Sequence, residues 1–254
     1  MSKRIHSERR IIKYTLEFLV VFLGILLSFG IDNYVKQRER INQKNTLLIE
    51  LRTSINEDQK QLIIVEDALN VCLEGFDLLI RDQKKPFLSD SAIVANISNV
   101  SAKMAISFFP QTGIYNQLIQ TESFELIESE DIKRSLSDLF EHLGERNNSA
   151  NLKFDSFAQK FDLVLTDKLF YRLVIQEVNN SVDLNTEITD FFISKNYQNH
   201  PEIIGMLTNG EKRVYFYKEL LKKYDQLMKT AIVQLDDYLL KRNIGSQTKD
   251  MYKS

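Results

Sequence analysis

Three side chains in the middle of the chain have the spacing of a helical metal site. Asp138, His142 and Glu145 lie at positions i, i+4 and i+7, on one face of a helix, and carboxylate and imidazole groups are common metal ligands. Helical metal sites need a second pair of ligands, and the other histidines, His6 and His200, do not provide one. We therefore expect a solvated charged face with no metal and no cofactor. An enzyme with a helical metal site near His142 stays as an alternative.

Glu17 is the second residue whose position suggests chemistry. It lies at the edge of a long apolar stretch, where a carboxylate is costly and is often functional. One interpretation is a subunit of an ion-driven or sensory membrane complex that uses Glu17. The other is structural, because Glu17 can pair with Lys13 four residues earlier or reach the lipid headgroups. Replacing Glu17 by glutamine distinguishes the two if expression is unchanged and function is not.

The rest of the sequence contains no catalytic motif. The single cysteine, Cys72, excludes an internal disulfide framework and a Cys-based zinc site. There is no Gly-rich phosphate loop and no nucleophile elbow. A net charge of −2, from 33 basic and 35 acidic residues, argues against nucleic acid as a partner. We expect no enzymatic activity.

The composition favours long helices. The chain of 254 residues has only 8 glycines and 3 prolines, too few for the many tight turns of a β-rich fold, and 43% of its residues are hydrophobic, enough for a real core. The sequence therefore predicts an all-α protein.

Residues 14–35 predict a transmembrane helix that acts as a signal anchor. This range of 22 residues would span about 33 Å, enough to cross the hydrocarbon core. Residues 1–13 carry five basic side chains, more than follow the span closely, so we expect them in the cytoplasm and the remainder in the periplasm, at the inner membrane. Two alternatives are a cleaved signal peptide, with small Ser28 and Gly30 before the cut, and a buried soluble helix.

One face of this span predicts a homodimer. Positions stepping by four and three lie on one side of the helix, and Gly24 with Ser28 forms a small-xxx-small pair that lets two helices approach closely. The face consists of Glu17, Val21, Gly24, Ser28 and Ile31.

Residues 36–242 predict a helical bundle beyond the membrane. A coiled-coil-like heptad stripe is apolar at all seven positions: Tyr34, Ile41, Leu48, Ile55, Leu62, Leu69 and Phe76. We expect three long helices at 36–81, 129–175 and 211–242, with short helices capping the bundle, and a frayed tail at 243–254.

The lengths of these helices suggest how they are connected. The first two are nearly equal and would form an antiparallel hairpin through a distal cap at 90–127, and the third would run outward again. We also expect a possible break at Asn147–Ser149, irregular structure at 176–199 and a turn at Asn209–Gly210.

Two blocks of sequence resemble a known family. Residues 17–34, with a Glu before an apolar Gly-Ile segment and then Ile-Asp-Asn-Tyr, are similar to the start of an uncharacterised single-span, domain-of-unknown-function family of Bacteroidetes envelope proteins. Residues 112–127 resemble its second conserved block, although Glu122 occupies a position that is usually Gly. The family implies one membrane span and assigns no activity. We therefore expect a membrane-anchored interaction or scaffold protein that binds an unidentified envelope partner.

Overall fold

The computed structural model describes the backbone of residues 2–178, 181–193 and 197–242, and the side chains of residues 18–165, 197 and 199–242. The predicted all-α class is confirmed, with one two-stranded sheet added. The helices are α1 (Ser2–Lys84), α2 (Asp90–Met104), α3 (Gly113–Gln120), α4 (Glu130–Ser137), α5 (Gly144–Lys168) and α6 (Pro201–Lys241). A π-helical segment, Asp138–Leu143, joins α4 to α5, and a 3-10 turn, Tyr197–Asn199, precedes α6.

Helix α1 has two parts with different environments. From residue 18 to residue 43 every side chain is exposed, and burial begins at Lys44. We call residues 18–35 the apolar segment. In the part of the chain that the structure describes, α1 is the one helix long and apolar enough to cross a membrane. It continues without interruption into the bundle, because no proline or bulge interrupts it.

The bundle has an up-down-up-down arrangement of four elements. Helix α6 is antiparallel to α1, since Tyr238 bonds to Lys44 and Gly210 packs on Phe76. The chain from α2 to residue 128 descends along α1, from a Val100 contact with Cys72 to a Glu122 contact with Arg40. Helices α4 and α5 ascend again beside α6. This topology is common in helical bundles.

The predicted connection of the helices is therefore wrong. Residues 90–127 run along the length of the bundle instead of forming a distal cap, so the second long helix is parallel to α1 and α6 returns toward the apolar segment. The equal lengths of the two predicted helices were misleading because α2, the following loop and α3 together span the same distance as one long helix.

Helix starts agree well with the capping residues in the sequence. The Ser89 hydroxyl accepts a hydrogen bond from the Ala92 amide at 3.3 Å, and Ser129 accepts from the Ile132 amide at 3.4 Å. Both satisfy a free amide of the first helical turn. Helix α1 ends where Asp82 accepts from the amides of Phe87 and Leu88, both at 2.7 Å.

The heptad stripe is buried only where neighbouring helices cover it. Leu48 through Phe76 lie in the core, whereas Tyr34 and Ile41 are exposed. Two polar residues that lie three positions after members of the stripe, Lys44 and Asp58, are also buried. The periodicity predicted the buried face correctly but not where burial begins.

Three predictions about where helices end or break are wrong, whereas the possible break at Asn147–Ser149 resolves to an unbroken helix. Helix α5 runs through these residues but ends at Lys168 instead of residue 175, and α6 runs through Asn209–Gly210. Residues predicted as irregular form part of an antiparallel pair, β1 (Leu169–Val178) and β2 (Ser181–Ile193), with Leu169 opposite Ile193 and Val178 opposite Ser181. The predicted tail at 243–254 lies outside the described residues.

Candidate functional site

The predicted helix–helix face of the apolar segment is open. Val21 and Ile31 are exposed, and a Cβ atom added to Gly24 would meet no atom within 4 Å. Ser28 is also exposed. The side chain of Glu17 lies outside the described residues. The face therefore has room for a close partner, and its self-association stays a prediction.

The base of the bundle, where α1 enters it, contains a buried lysine. Lys44 is 1% exposed, and its ammonium group donates to the Tyr238 hydroxyl at 2.8 Å. A buried cation without a hydrogen-bonding partner is very unfavourable, so this bond holds α6 against α1 at the point where burial begins. The guanidinium group of Arg242 lies over the Tyr238 ring, 4.9 Å from its centroid.

A strained residue connects the base to the exposed part of α1. Glu122 has φ of 55°, in the left-handed region that favours glycine, and holding a non-glycine residue there costs about 1 kcal/mol. Its carboxylate accepts from Arg40 at 2.7 Å. The conformation at this position suits glycine, but here the side chain of Glu122 reaches α1.

Further ion pairs fix the same end of the bundle. Arg52 bonds to Asp236 at 2.7 Å, and Arg242 pairs with Glu128. An open cavity of about 630 Å³ lies between the start of α4 and the end of α6. Its basic side chains, Arg242 and Lys241, already pair with Glu128 and Asp237 of the same cavity wall, so neither cation is left for an anionic ligand.

A buried polar network holds the loop between α2 and α3 in the centre of the bundle. The Phe108 amide donates to the Tyr217 hydroxyl at 3.0 Å, and the Phe108 carbonyl accepts from the side-chain amides of Asn147 and Asn151 at 3.0 and 2.7 Å. The Tyr217 hydroxyl donates in turn to Asn151. The network satisfies loop backbone groups that have no helical partner, which explains why Asn147 and Asn151 are buried within α5.

Two more contacts extend this network to α1 and to the π-helical segment. The Asp58 carboxylate accepts from the Gln111 amide at 3.0 Å, and the Tyr224 hydroxyl donates to the Leu139 carbonyl at 3.1 Å. Leu139 belongs to the π-helical segment, so this bond ties α6 to that segment. Two features of the sequence could have indicated this network. They are Asp58, a polar residue on the buried side of the heptad pattern, and Asn147 with Asn151, two asparagines spaced by four residues.

The candidate metal residues do not assemble into a site. His142 Nε2 lies 4.0 Å from Asp138 Oδ1, and the His142 side chain is largely exposed. No group of three His, Cys, Asp or Glu side chains among the described residues is arranged to hold a metal ion, and Glu145 does not join the other two.

The single cysteine is placed as a core residue. Cys72 is fully buried, and its thiol points to the Val100 carbonyl at 3.7 Å. Burial raises the pKa of this thiol to about 12, so it stays protonated at neutral pH. A protonated, inaccessible thiol is a poor nucleophile.

The described residues thus present an exposed apolar segment and a braced junction between this segment and a helical bundle. Comparisons of the chain with protein-family models, curated proteins and solved structures give no match.

Proposed function

We propose that this chain is a single-pass membrane protein of the bacterial envelope that displays a helical interaction scaffold in the periplasm. The observation that carries the proposal is the continuity of α1, whose apolar segment is fully exposed and whose following residues form the core of the bundle. An exposed apolar stretch of this length is very unfavourable in water, and a bilayer would cover it. The bundle would then be held at a fixed distance from the membrane.

Three features support the scaffold role. The junction at Lys44, Arg40 and Arg52 braces α1 against the rest of the bundle, which suits a part that holds a partner in place. The resemblance to the single-span family agrees with one anchor and an envelope location. The proposal includes membership of that family and the absence of catalysis by this chain.

The first prediction concerns orientation. The excess of basic residues before the apolar segment favours a cytoplasmic N-terminus. A reporter that is active only in the periplasm, fused after residue 254, should be active, and a cytoplasmic reporter fused at the same position should be silent. The opposite pattern would show that the bundle lies in the cytoplasm.

The second prediction concerns self-association of the anchor. We propose that two chains pair through Glu17, Val21, Gly24, Ser28 and Ile31, because small residues allow close packing in lipid, with a contribution of about 1–2 kcal/mol. Cysteines placed singly from 20 to 31 in a Cys72→Ser background should cross-link most strongly at 21, 24, 28 and 31. The residues on the other side of the helix, at 22, 23, 26 and 29, are the matched controls.

The pattern of cross-linking decides between a dimer and a monomer. A periodic maximum on the predicted face supports pairing. Uniformly weak cross-linking would mean that Gly24 and Ser28 face lipid, and a maximum on the opposite face would place the contact elsewhere on the helix.

A further inference from the structure

A long groove lies between α5 and α6 in the upper half of the bundle. Two adjoining cavities of about 620 and 200 Å³ share Ala150, Lys153 and Phe216 in their walls. Phe216, at the centre of the groove, is 60% exposed although it is a large aromatic residue. A concave surface with an exposed aromatic side chain at its centre is typical of an interaction site.

The walls of this groove are positively charged. They contain the cations Arg146, Lys153, Arg213 and Lys223 against two acids, so four positive and two negative charges leave an excess of two on a chain whose net charge is −2. Among the described residues, none of these four cations takes part in an ion pair. Lower on α6 the cations are neutralised, since Lys229 and Lys241 each pair with an aspartate four residues earlier. The groove therefore suits an occupant with apolar and acidic side chains.

The exposed side of α1 at the same level has this complementary character. Ile63 and Ile64 are 57% and 62% exposed, and Asp67 and Glu74 are exposed on the same side of the helix. Neither acid takes part in an ion pair among the described residues. We call these four residues the α1 ridge.

The groove and the α1 ridge lie at the same height along the bundle. Gln59 bonds to Asp225 and Gly210 packs on Phe76, so the part of α6 that lines the groove runs beside the part of α1 that carries the ridge. Their heights are fixed by the anchor, because the ridge and the apolar segment belong to one helix. Two copies anchored in one bilayer in the same orientation would therefore bring groove and ridge to the same level.

We propose that the groove between α5 and α6 binds the α1 ridge of a second copy of this chain in the same membrane. The inference rests on the proposed anchoring. Ile63 and Ile64 of one copy would pack beside Phe216 of the other, and Asp67 and Glu74 would face the unpaired cations. The contact joins two different surfaces, so it is head-to-tail and can continue from copy to copy.

Other occupants fit these observations less well. Asn70, at the level of the groove, lies 35 residues beyond Val35, or about 52 Å of helix, so the groove cannot reach the bilayer that anchors the chain. Symmetric pairing of two α1 ridges would place Asp67 against Asp67, and like charges directly opposite are unfavourable. Pairing of the anchors does not block the contact, since small-xxx-small helices cross at about 40° and separate beyond the membrane.

Cross-linking in membranes tests the contact directly. Two full-length chains with different tags, both carrying Cys72→Ser, would be co-expressed, one with Phe216→Cys and the other with Ile64→Cys. Mild oxidation of the isolated membranes should join the two tags. As the matched control, Val233→Cys, exposed on α6 but outside the groove, should give no adduct with Ile64→Cys.

Charge reversal provides a second, independent measurement. Lys153→Glu with Lys223→Glu in the groove chain should lower the yield of the adduct by about ten-fold, as expected for several surface charge pairs acting together. Asp67→Lys with Glu74→Lys in the ridge chain should restore it. Lys222→Glu, beside Lys223 but outside the groove walls, should leave the yield unchanged.

The outcomes separate this inference from the proposed anchoring. Part of each membrane sample would be washed at alkaline pH. A chain that stays with the membranes but gives no adduct between positions 216 and 64, or gives only an adduct between two copies of position 64, overturns the head-to-tail contact and leaves the anchor standing. A chain that the wash releases overturns the anchor and the contact together.

Discussion

The Asp58→Asn variant is expected to be more stable than the wild-type chain at pH 7.5, and this advantage should disappear as the pH falls to about 4. Asp58 is 3% exposed, and burial raises the pKa of its carboxyl to about 6, although the hydrogen bonds from Gln111 act in the opposite direction. The neighbouring Glu57 raises this pKa further. The Tyr224 hydroxyl donates to Leu139 instead, so it is not available to stabilise the charge.

The sign of this pH dependence follows from the number of protons that Asp58 binds in the folded and in the unfolded chain. Between pH 4 and pH 6 the folded chain binds more protons at Asp58 than the unfolded chain, so the free energy of unfolding decreases as the pH rises. The stabilising effect of the protonated carboxyl is complete below the unfolded pKa and is lost as the pH rises through the folded pKa of about 6. The pH-dependent part amounts to about 3 kcal/mol on the scale of 1.36 kcal/mol per pKa unit. Asparagine carries no charge at any pH and keeps an oxygen that can accept from the Gln111 amide.

Urea unfolding of the full chain in detergent, followed by circular dichroism from pH 4 to pH 8, measures this difference. The difference between variant and wild type is informative because all other acids titrate in both proteins. Glu57→Gln is the matched control, since it removes the adjacent acid and leaves the buried one in place, and it should change stability only slightly. A variant that is less stable than wild type at pH 7.5, with a difference that does not depend on pH, would mean that the ionised carboxylate is the form the loop requires.

Asp58 also illustrates what the sequence could and could not predict. Its spacing, three residues after Ile55 of the heptad stripe, is consistent with a position on the buried side of α1, and Asp58 is buried. The pattern could not reveal its partner, because Gln111 lies 53 residues away in a loop whose path depends on the whole bundle. The caps at Ser89 and Ser129 are different, because each serine binds an amide only three residues further along the chain, so a local sequence pattern is enough to identify them.

The topology was harder to predict because helix lengths do not determine direction. Pro110 lies in the loop between α2 and α3, but nothing local in the sequence could show that these two helices line up along the bundle. That alignment depends on contacts distant in sequence, such as Arg40 with Glu122 and Cys72 with Val100. The candidate helix–helix face of the apolar segment can be proposed from the sequence, because all its residues lie on one helix at regular spacing. The groove between α5 and α6 cannot, because its walls come from two helices that meet only in the folded chain.

Gly210 shows how a residue with two possible roles can mislead. An Asn-Gly pair is a strong turn signal, but α6 continues through it. The reason for the glycine is a close approach: a Cβ atom at this position would lie 2.4 Å from Phe76 Cζ and 2.5 Å from Phe76 Cε1. Phe76 is fully buried and packs edge-on against Phe161, with ring centroids 5.5 Å apart. The glycine therefore lets α6 approach α1 closely.

Replacing Gly210 by alanine should lower the free energy of unfolding by about 1–2 kcal/mol. Forcing an extra methyl group into a packed core costs about 1–3 kcal/mol, and alanine returns up to about 1 kcal/mol through its higher helix propensity. The first effect is larger here because the clashing atoms belong to a ring held on all sides. Urea unfolding of the full chain in detergent measures the change.

Gly205→Ala is the matched control because it makes the same substitution in the same helix. A Cβ atom at Gly205 would meet nothing within 4 Å, so only the propensity gain applies, and this variant should be more stable by about 0.5–1 kcal/mol. The two substitutions should therefore have opposite signs. Phe76→Leu replaces the ring by a smaller side chain. In this background Gly210→Ala should lower the free energy of unfolding much less, since the two residues are in direct contact and their effects should not add. Equal stabilisation by both alanines would show that α6 does not approach α1 as closely as the Phe76 contact requires.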